Sequence, residues 1–206
     1  MTGTSKKGLI EVGVNVRILT GETESGDQHL VRPFEGGVLI AVVDGLGHGE
    51  EAAAAAKRAI EIIDAHAEES VIPLVNRCHR ELVRTRGAVI GLASIRSIDN
   101  TMTWMSIGNV EGVLVRADTS VLPRRESIFM RGGVVGYNLP PLRASVVPVS
   151  RGDMMILATD GIHQNFIDNL RLGESPQQAA DRIAANFARP TDDALVLVAR
   201  YIGGEP

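Results

Sequence analysis

Three acidic positions stand where long apolar runs stop or start. Residues 38–43 (Val-Leu-Ile-Ala-Val-Val) run directly into Asp44, and residues 154–159 run into Asp160. Asp192 and Asp193 come immediately before the apolar run 194–198. Carboxylate oxygens are hard ligands that suit Mg²⁺ or Mn²⁺. Several of them in one place repel one another unless cations or protons intervene. If the last run lies antiparallel to the other two, all three acidic ends gather at one rim. A glycine follows each of the first two aspartates, Gly45 and Gly161. Glycine lets the chain turn sharply, or lets a backbone carbonyl or amide approach an ion closely. A lone Asp-Gly pair is most often a turn. Two such pairs at the ends of buried strands, with a third acidic pair opening another, point instead to divalent-cation chemistry.

Gly45, Gly47 and Gly49 make a bare backbone that leads into a helix, whose free amides and partial positive charge favour an anion such as phosphate. His48 lies within this segment, placed either to protonate a leaving oxygen or to cap the helix. His29, His66, His79 and His163 have no ligand spacing between them, which disfavours zinc. Arg131, Arg143 and Arg151 read as solvated loop residues that could also meet a phosphoprotein.

The elements that must position these groups follow from periodicity. Residues 10–18 alternate apolar with polar, a half-buried strand, and a polar loop follows over 20–28. Beyond Gly49, Ala52, Ala56, Ala59, Ile60, Ile63 and Ala67 recur at helical spacing. A second helix is predicted from Ser70, as N-cap, to about Arg84, with Leu74, Cys78 and Leu82 on one face. Cys78 is thereby a core residue rather than a nucleophile. Strands are predicted over 88–95, 102–107 and 113–115, with Asn109 in a hairpin connection between the last two. Residues 117–141 read as short strands and a mobile loop. Strands at 146–149 and 154–159, a helix opened by the capping box Ser175-Pro176-Gln177-Gln178, and a last strand at 194–201 complete the chain. The order β, β, α, α, several β, α, β is α+β: antiparallel sheets packed face to face with helices outside.

Composition narrows the function classes. Of 206 residues, 44% are hydrophobic and only 3% aromatic. The core must therefore be aliphatic, and base-stacking platforms for nucleic acid are scarce. The net charge of −4 with scattered basic residues argues the same way. A single cysteine allows no internal disulfide, no apolar run has membrane-spanning length, and residues 1–8 lack the apolar stretch of a signal peptide. One cytoplasmic, monomeric domain over residues 1–206 is the expectation.

The segments Asp44-Gly45-Leu46-Gly47-His48-Gly49, Ala158-Thr159-Asp160-Gly161 and Asp192-Asp193-Ala194 resemble, in this order, the motifs of the PP2C-like protein phosphatases. The likeness is greater to the bacterial branch typified by SpoIIE and RsbU, whose first acidic motif Ser25-Gly26-Asp27 is similar to, and it spans about residues 10–201. The resemblance implies a four-layer αββα sandwich and a pair of divalent cations, Mn²⁺ or Mg²⁺. It implies that Asp44 bridges both ions, that the Gly45 carbonyl binds one, and that Asp160 and Asp192 ligate the other. Asp27 would hold metal-bound water, with Asp193 behind the ligands. Eukaryotic members carry acidic residues at the positions of Gly26 and Asn109; by the resemblance, Gly26 implies weaker hold on one metal, and Asn109 argues against a third ion. With no sensor domain ahead of the core, the chain resembles the stand-alone stressosome phosphatases. The implied substrates are phosphoserine and phosphothreonine on stressosome scaffold proteins. Two other functions fit the same residues: a phosphoprotein-binding module that has lost turnover, and a phosphohydrolase for small molecules.

Overall fold

The structure is a computed structural model that describes residues 8–171 and 173–203; residues 1–7, which the sequence reads as a polar start without a leader, lie outside that range. Two sheets carry the fold. The first has the order β1-β11-β10-β6-β7, built from β1 (Ile10–Arg17), β6 (Glu111–Val115), β7 (Arg125–Ser127), β10 (Met154–Ala158) and β11 (Ala194–Tyr201). The second has the order β2-β3-β4-β5-β8, from β2 (Asp27–Phe34), β3 (Gly37–Gly45), β4 (Ala88–Arg96), β5 (Thr101–Ile107) and β8 (Met130–Arg131), with β9 (Ser145–Pro148) also on β5. Every pairing is antiparallel except the short β5–β8 contact.

Three apolar cores separate four layers. Between the sheets lie Val38, Ile40 and Val42 of β3, Trp104 of β5, and Leu157, Leu195 and Leu197 from the facing sheet. The other face of β3, with Leu39, Ala41 and Val43, packs on α1 (Glu50–Ala65) and α2 (Val71–Glu81). The outer face of the first sheet packs on α3 (Pro176–Phe187) and on Phe166 of a 3₁₀ helix (Gln164–Asn169). This is the αββα sandwich. β3 is covered on both faces, which explains why its sequence is continuously apolar rather than alternating. The alanine stripe of α1 lets that helix lie close against it.

Several local expectations are met. Ser175 Oγ accepts from Gln178 N, and Ser175 N donates back to the Gln178 side chain, closing the capping box. Cys78 is buried, and burial pushes its thiol up to about 12, so it is a core residue. Short strands and bridges do occupy part of 117–141. Among the described residues, no helix is long and apolar enough to cross a membrane.

Four differences have physical reasons. Sequence periodicity predicts no strand between residue 20 and residue 38, yet β2 runs there. It is an edge strand carrying Arg32 and Pro33, and it sends Leu30 to one core and Val31 to another, so no period-two signal survives. Residues 108–112 are not a hairpin: β5 and β6 belong to different sheets, and the segment crosses between them. The 3₁₀ helix, with Phe166 buried and Ile167 beside it against the core, is too short to show a periodicity. Ser70 occupies the N-cap of α2, but its side chain makes no capping bond, and that helix ends at Glu81 rather than near Arg84.

The inter-sheet core predicts a concrete cost. Leu157 is fully buried there, and Leu157→Ala should destabilise the protein by about 2–5 kcal/mol in chemical denaturation.

Candidate functional site

β2 and β3 pair so that Asp27 stands directly opposite Asp44 at the end of the ladder. Asp160 follows the end of β10, and Asp192 and Asp193 lead into its neighbour β11. Acidic ends from both sheets therefore meet at one rim of the sandwich. Asp44, Asp160 and Asp192 line a single open cleft of about 250 Å³, together with Gly47, His48 and Asn109. Asp27 and Gly45 are buried and do not line it.

Neither Asp-Gly glycine makes a positive-φ turn. A Cβ on Gly45 would lie 2.0 Å from the Ala52 carbonyl oxygen of α1, and one on Gly161 would lie 1.8 Å from the Asp193 carbonyl oxygen. Glycine is needed because another backbone occupies the space. Gly45 thus seats α1 against the end of β3, and Gly161 brings the Asp160 segment against the one bearing Asp192. A Cβ on Gly26 would meet Ala52 Cβ at 3.2 Å and Asp193 Oδ2 at 3.3 Å. A side chain at that position would sit tightly against both neighbours.

Hydrogen bonds fix the carboxylates. Thr159 Oγ1 donates to Asp27 Oδ2 at 2.7 Å and accepts from Leu195 N at 2.9 Å, which ties the two sheets together at the site. Asn109 Nδ2 donates to Asp160 Oδ2 at 2.7 Å, so the crossing between sheets positions a cleft carboxylate. Asp193 turns away from the cleft: its oxygens accept from Leu19 N and Gly26 N, both at 2.8 Å, and clamp the two ends of the segment that leads into Asp27. Asp192 Oδ1 accepts from Asp193 N at 2.9 Å. His48 Nδ1 is 2.7 Å from Glu22 Oε1. It does not cap α1, whose N-cap is Gly49 without any side-chain bond.

Thr159 and Glu22 were not legible as site residues, although Thr159 lies between Ala158 and Asp160 in one of the motifs. A hydroxyl next to a strand-end aspartate is a weak signal until its cross-sheet partner is known.

The electrostatics are those of crowded acids. Burial first, and then the charges of Asp27, Asp160, Asp192 and Asp193, push the Asp44 carboxyl up to about 9. Burial also raises Asp27, to about 7; the Thr159 hydrogen bond opposes this, and Asp193, Asp192 and Asp160 add to it. Asp192 is raised by burial and by Asp160. Among the described residues, no three His, Cys, Asp or Glu side chains already converge closely enough to enclose an ion. The donor set still fits a hard cation. It is all oxygen, it is short of positive charge, and it is open enough to leave coordination positions to water, as Mg²⁺ prefers.

A family model described as stage II sporulation protein E (SpoIIE) matches residues 35–202. The chain belongs to the SpoIIE family, a PP2C-type phosphatase domain. Phosphoserine phosphatase RsbX of Bacillus subtilis is 24% identical over 200 residues, covering 92% of this chain and 98% of that protein. Among solved structures, a chain from work on the bacterial stressosome as a modular system is 30% identical, with a TM-score of 0.84 over 93% of this chain and 99% of that one. A structure of RsbX in complex with magnesium has a TM-score of 0.82 at 21% identity, over 97% of this chain and 98% of that one. The sandwich described above is thus the SpoIIE-family fold.

The raised carboxyls give a pH prediction for metal-free protein. Unfolded aspartates titrate near about 4, so between that pH and about 9 the folded state binds more protons than the unfolded one. Stability must then fall as pH rises through this window. Thermal melts in chelator should show that decline, and Asp44→Asn should flatten it and stabilise the metal-free protein at neutral pH. An unchanged slope in the variant would mean that Asp44 does not hold the proton.

Proposed function

We propose that this SpoIIE-family domain is a divalent-metal-dependent protein phosphatase that removes phosphate from phosphoserine and phosphothreonine on stressosome scaffold proteins in the cytoplasm. The observation that carries the proposal is the convergence of Asp44, Asp160 and Asp192 on one open cleft, with Asp27 buried behind Asp44. So many carboxylates in one place hold protons when metal-free and would exchange them for cations. Asp44, Asp160 and Asp192, with the Gly45 carbonyl, are the groups that would hold the divalent cations. Asp27, buried behind Asp44, would support the site from beneath it. Bound Mn²⁺ or Mg²⁺ would supply an acidified water and would neutralise the phosphoryl oxygens. The protein's own residues orient the rest. Asn109 holds the Asp160 carboxylate in place. Thr159 keeps Asp27 facing Asp44. His48, steadied by Glu22, stands at the cleft where a leaving serine oxygen would take up a proton.

The substrate class rests on similarity and on shape. RsbX is by name a phosphoserine phosphatase, and the 30% identical chain comes from stressosome work. At about 250 Å³ and open to solvent, the cleft is smaller than the usual range of about 300–1,000 Å³ for small-molecule pockets, and it suits a phosphorylated side chain presented from a protein surface. The glycine at position 26, which supplies no acidic side chain, favours the binding-module reading as the alternative.

Purified protein with Mn²⁺ should release phosphate from phosphorylated stressosome proteins and from a small phosphate ester. Asp44→Asn should lower that rate by more than about a hundredfold. Full activity in the variant would refute the metal assignment. Calorimetry separates the alternative: a binding module would take up phosphoprotein but no Mn²⁺ at millimolar concentration.

A further inference from the structure

Beside the proposed cations, a phosphate dianion is oriented by directed side-chain donors, and among the described residues no Lys or Arg lines the cleft itself. One guanidinium reaches its wall from outside. Arg86 Nη1 lies 2.8 Å from the place a Cβ on Gly47 would occupy, and Gly47 lines the cleft. Gly47 has φ 94°, a left-handed backbone that glycine adopts without strain. Arg86 also lines a neighbouring depression of about 380 Å³ with Glu51, Ala54 and Arg84, and so stands on the ridge between the two.

Its backbone is held to the metal-ligand segment. Leu46 N, two residues past Asp44, donates to Gly87 O at 3.1 Å, and Gly87 N donates to Thr85 Oγ1 at 3.0 Å. Gly87 itself has φ 80°, which shapes the turn that presents Arg86. The guanidinium is meanwhile ion-paired with Glu51, in the first turn of α1, and the two side chains are 46% and 70% exposed. A pair that exposed contributes little to stability, so the guanidinium can change partners at small cost. A phosphate matches its planar fork in a bidentate manner, more closely than a lone ammonium would.

We propose that Arg86 is the phosphate-positioning residue of this cleft, with Glu51 as the resident carboxylate that an incoming phosphate displaces. The proposal rests on the phosphatase reading above. It makes Glu51 a competitive brake, because any substrate phosphate has to take the guanidinium from it. Arg189, whose charge acts on Asp192, is the rival position.

The test uses the full chain with Mn²⁺, following hydrolysis of p-nitrophenyl phosphate and calorimetric binding of inorganic phosphate. Arg86→Ala should raise KM and weaken phosphate binding about tenfold, with a smaller effect on kcat and with the Mn²⁺ dependence unmoved. Arg86→Lys should recover part of the loss, and Glu51→Gln should lower KM below that of the unaltered protein. If the unaltered protein neither turns over nor binds phosphate, the phosphatase reading fails and Arg86 fails with it. If it does both and Arg86→Ala matches it in KM and phosphate binding, or if Arg189→Ala produces the tenfold change instead, the Arg86 assignment alone is overturned.

Discussion

Carboxylates repel, and here four of them are carried by the ends of two different sheets: Asp27 and Asp44 on one, Asp160 and Asp192 on the other. What holds the acidic ends together is the apolar interior between the sheets, where Ile40, Trp104, Leu157 and Leu197 are almost wholly buried. Burial of that surface is a favourable term spread over the whole interface, and the repulsion is local to one rim. The fold can therefore carry an electrostatically unfavourable cluster at its edge. The same clustering is what the proposed divalent cations would neutralise. The first protein side chain to relieve the tension is Thr159, whose hydroxyl reaches from one sheet to a buried carboxylate on the other.

Close backbone approach is the second constraint, and it explains residues that would otherwise read as flexible. Gly45 and Gly161 are places where a main chain fills the volume that any side chain would need, and both follow a cleft aspartate. Helix α1 and the segment before β11 are thus docked against the very residues that bear the charges. The positive-φ glycines of the site, Gly47 and Gly49, come later and shape the path from β3 into α1. Two kinds of glycine therefore serve one loop for different reasons.

Much of this was legible in the sequence, and the reason is local. The strands that end in aspartates are long and continuously apolar, the alanine stripe of α1 is regular, and the Ser175 capping box is complete. Gathering at one rim follows from those positions because the last strand is antiparallel to its neighbour. What stayed hidden depends on pairing between distant segments. β2 shares its apolar side chains between two cores and so shows no alternation, and for that reason Asp27 reads as a loop residue when it faces Asp44 across a ladder. Asn109 reads as a hairpin residue, because nothing local distinguishes a hairpin from a crossing between sheets. Asp193 reads as standing behind the ligands, but its partners, Leu19 N and Gly26 N, lie far away in the sequence.

That orientation of Asp193 has an evolutionary consequence. By accepting from Leu19 N and Gly26 N, one carboxylate closes the segment between them into a ring anchored at a single buried point. Once the ends are joined, the entropy of closure changes only slowly with the length of the intervening chain. Insertions or replacements at the tip, which carries Glu22 to His48 at the cleft, leave the anchor and Asp27 where they are. Descendants of this scaffold can accordingly vary the rim that a substrate meets while inheriting its acidic centre unchanged.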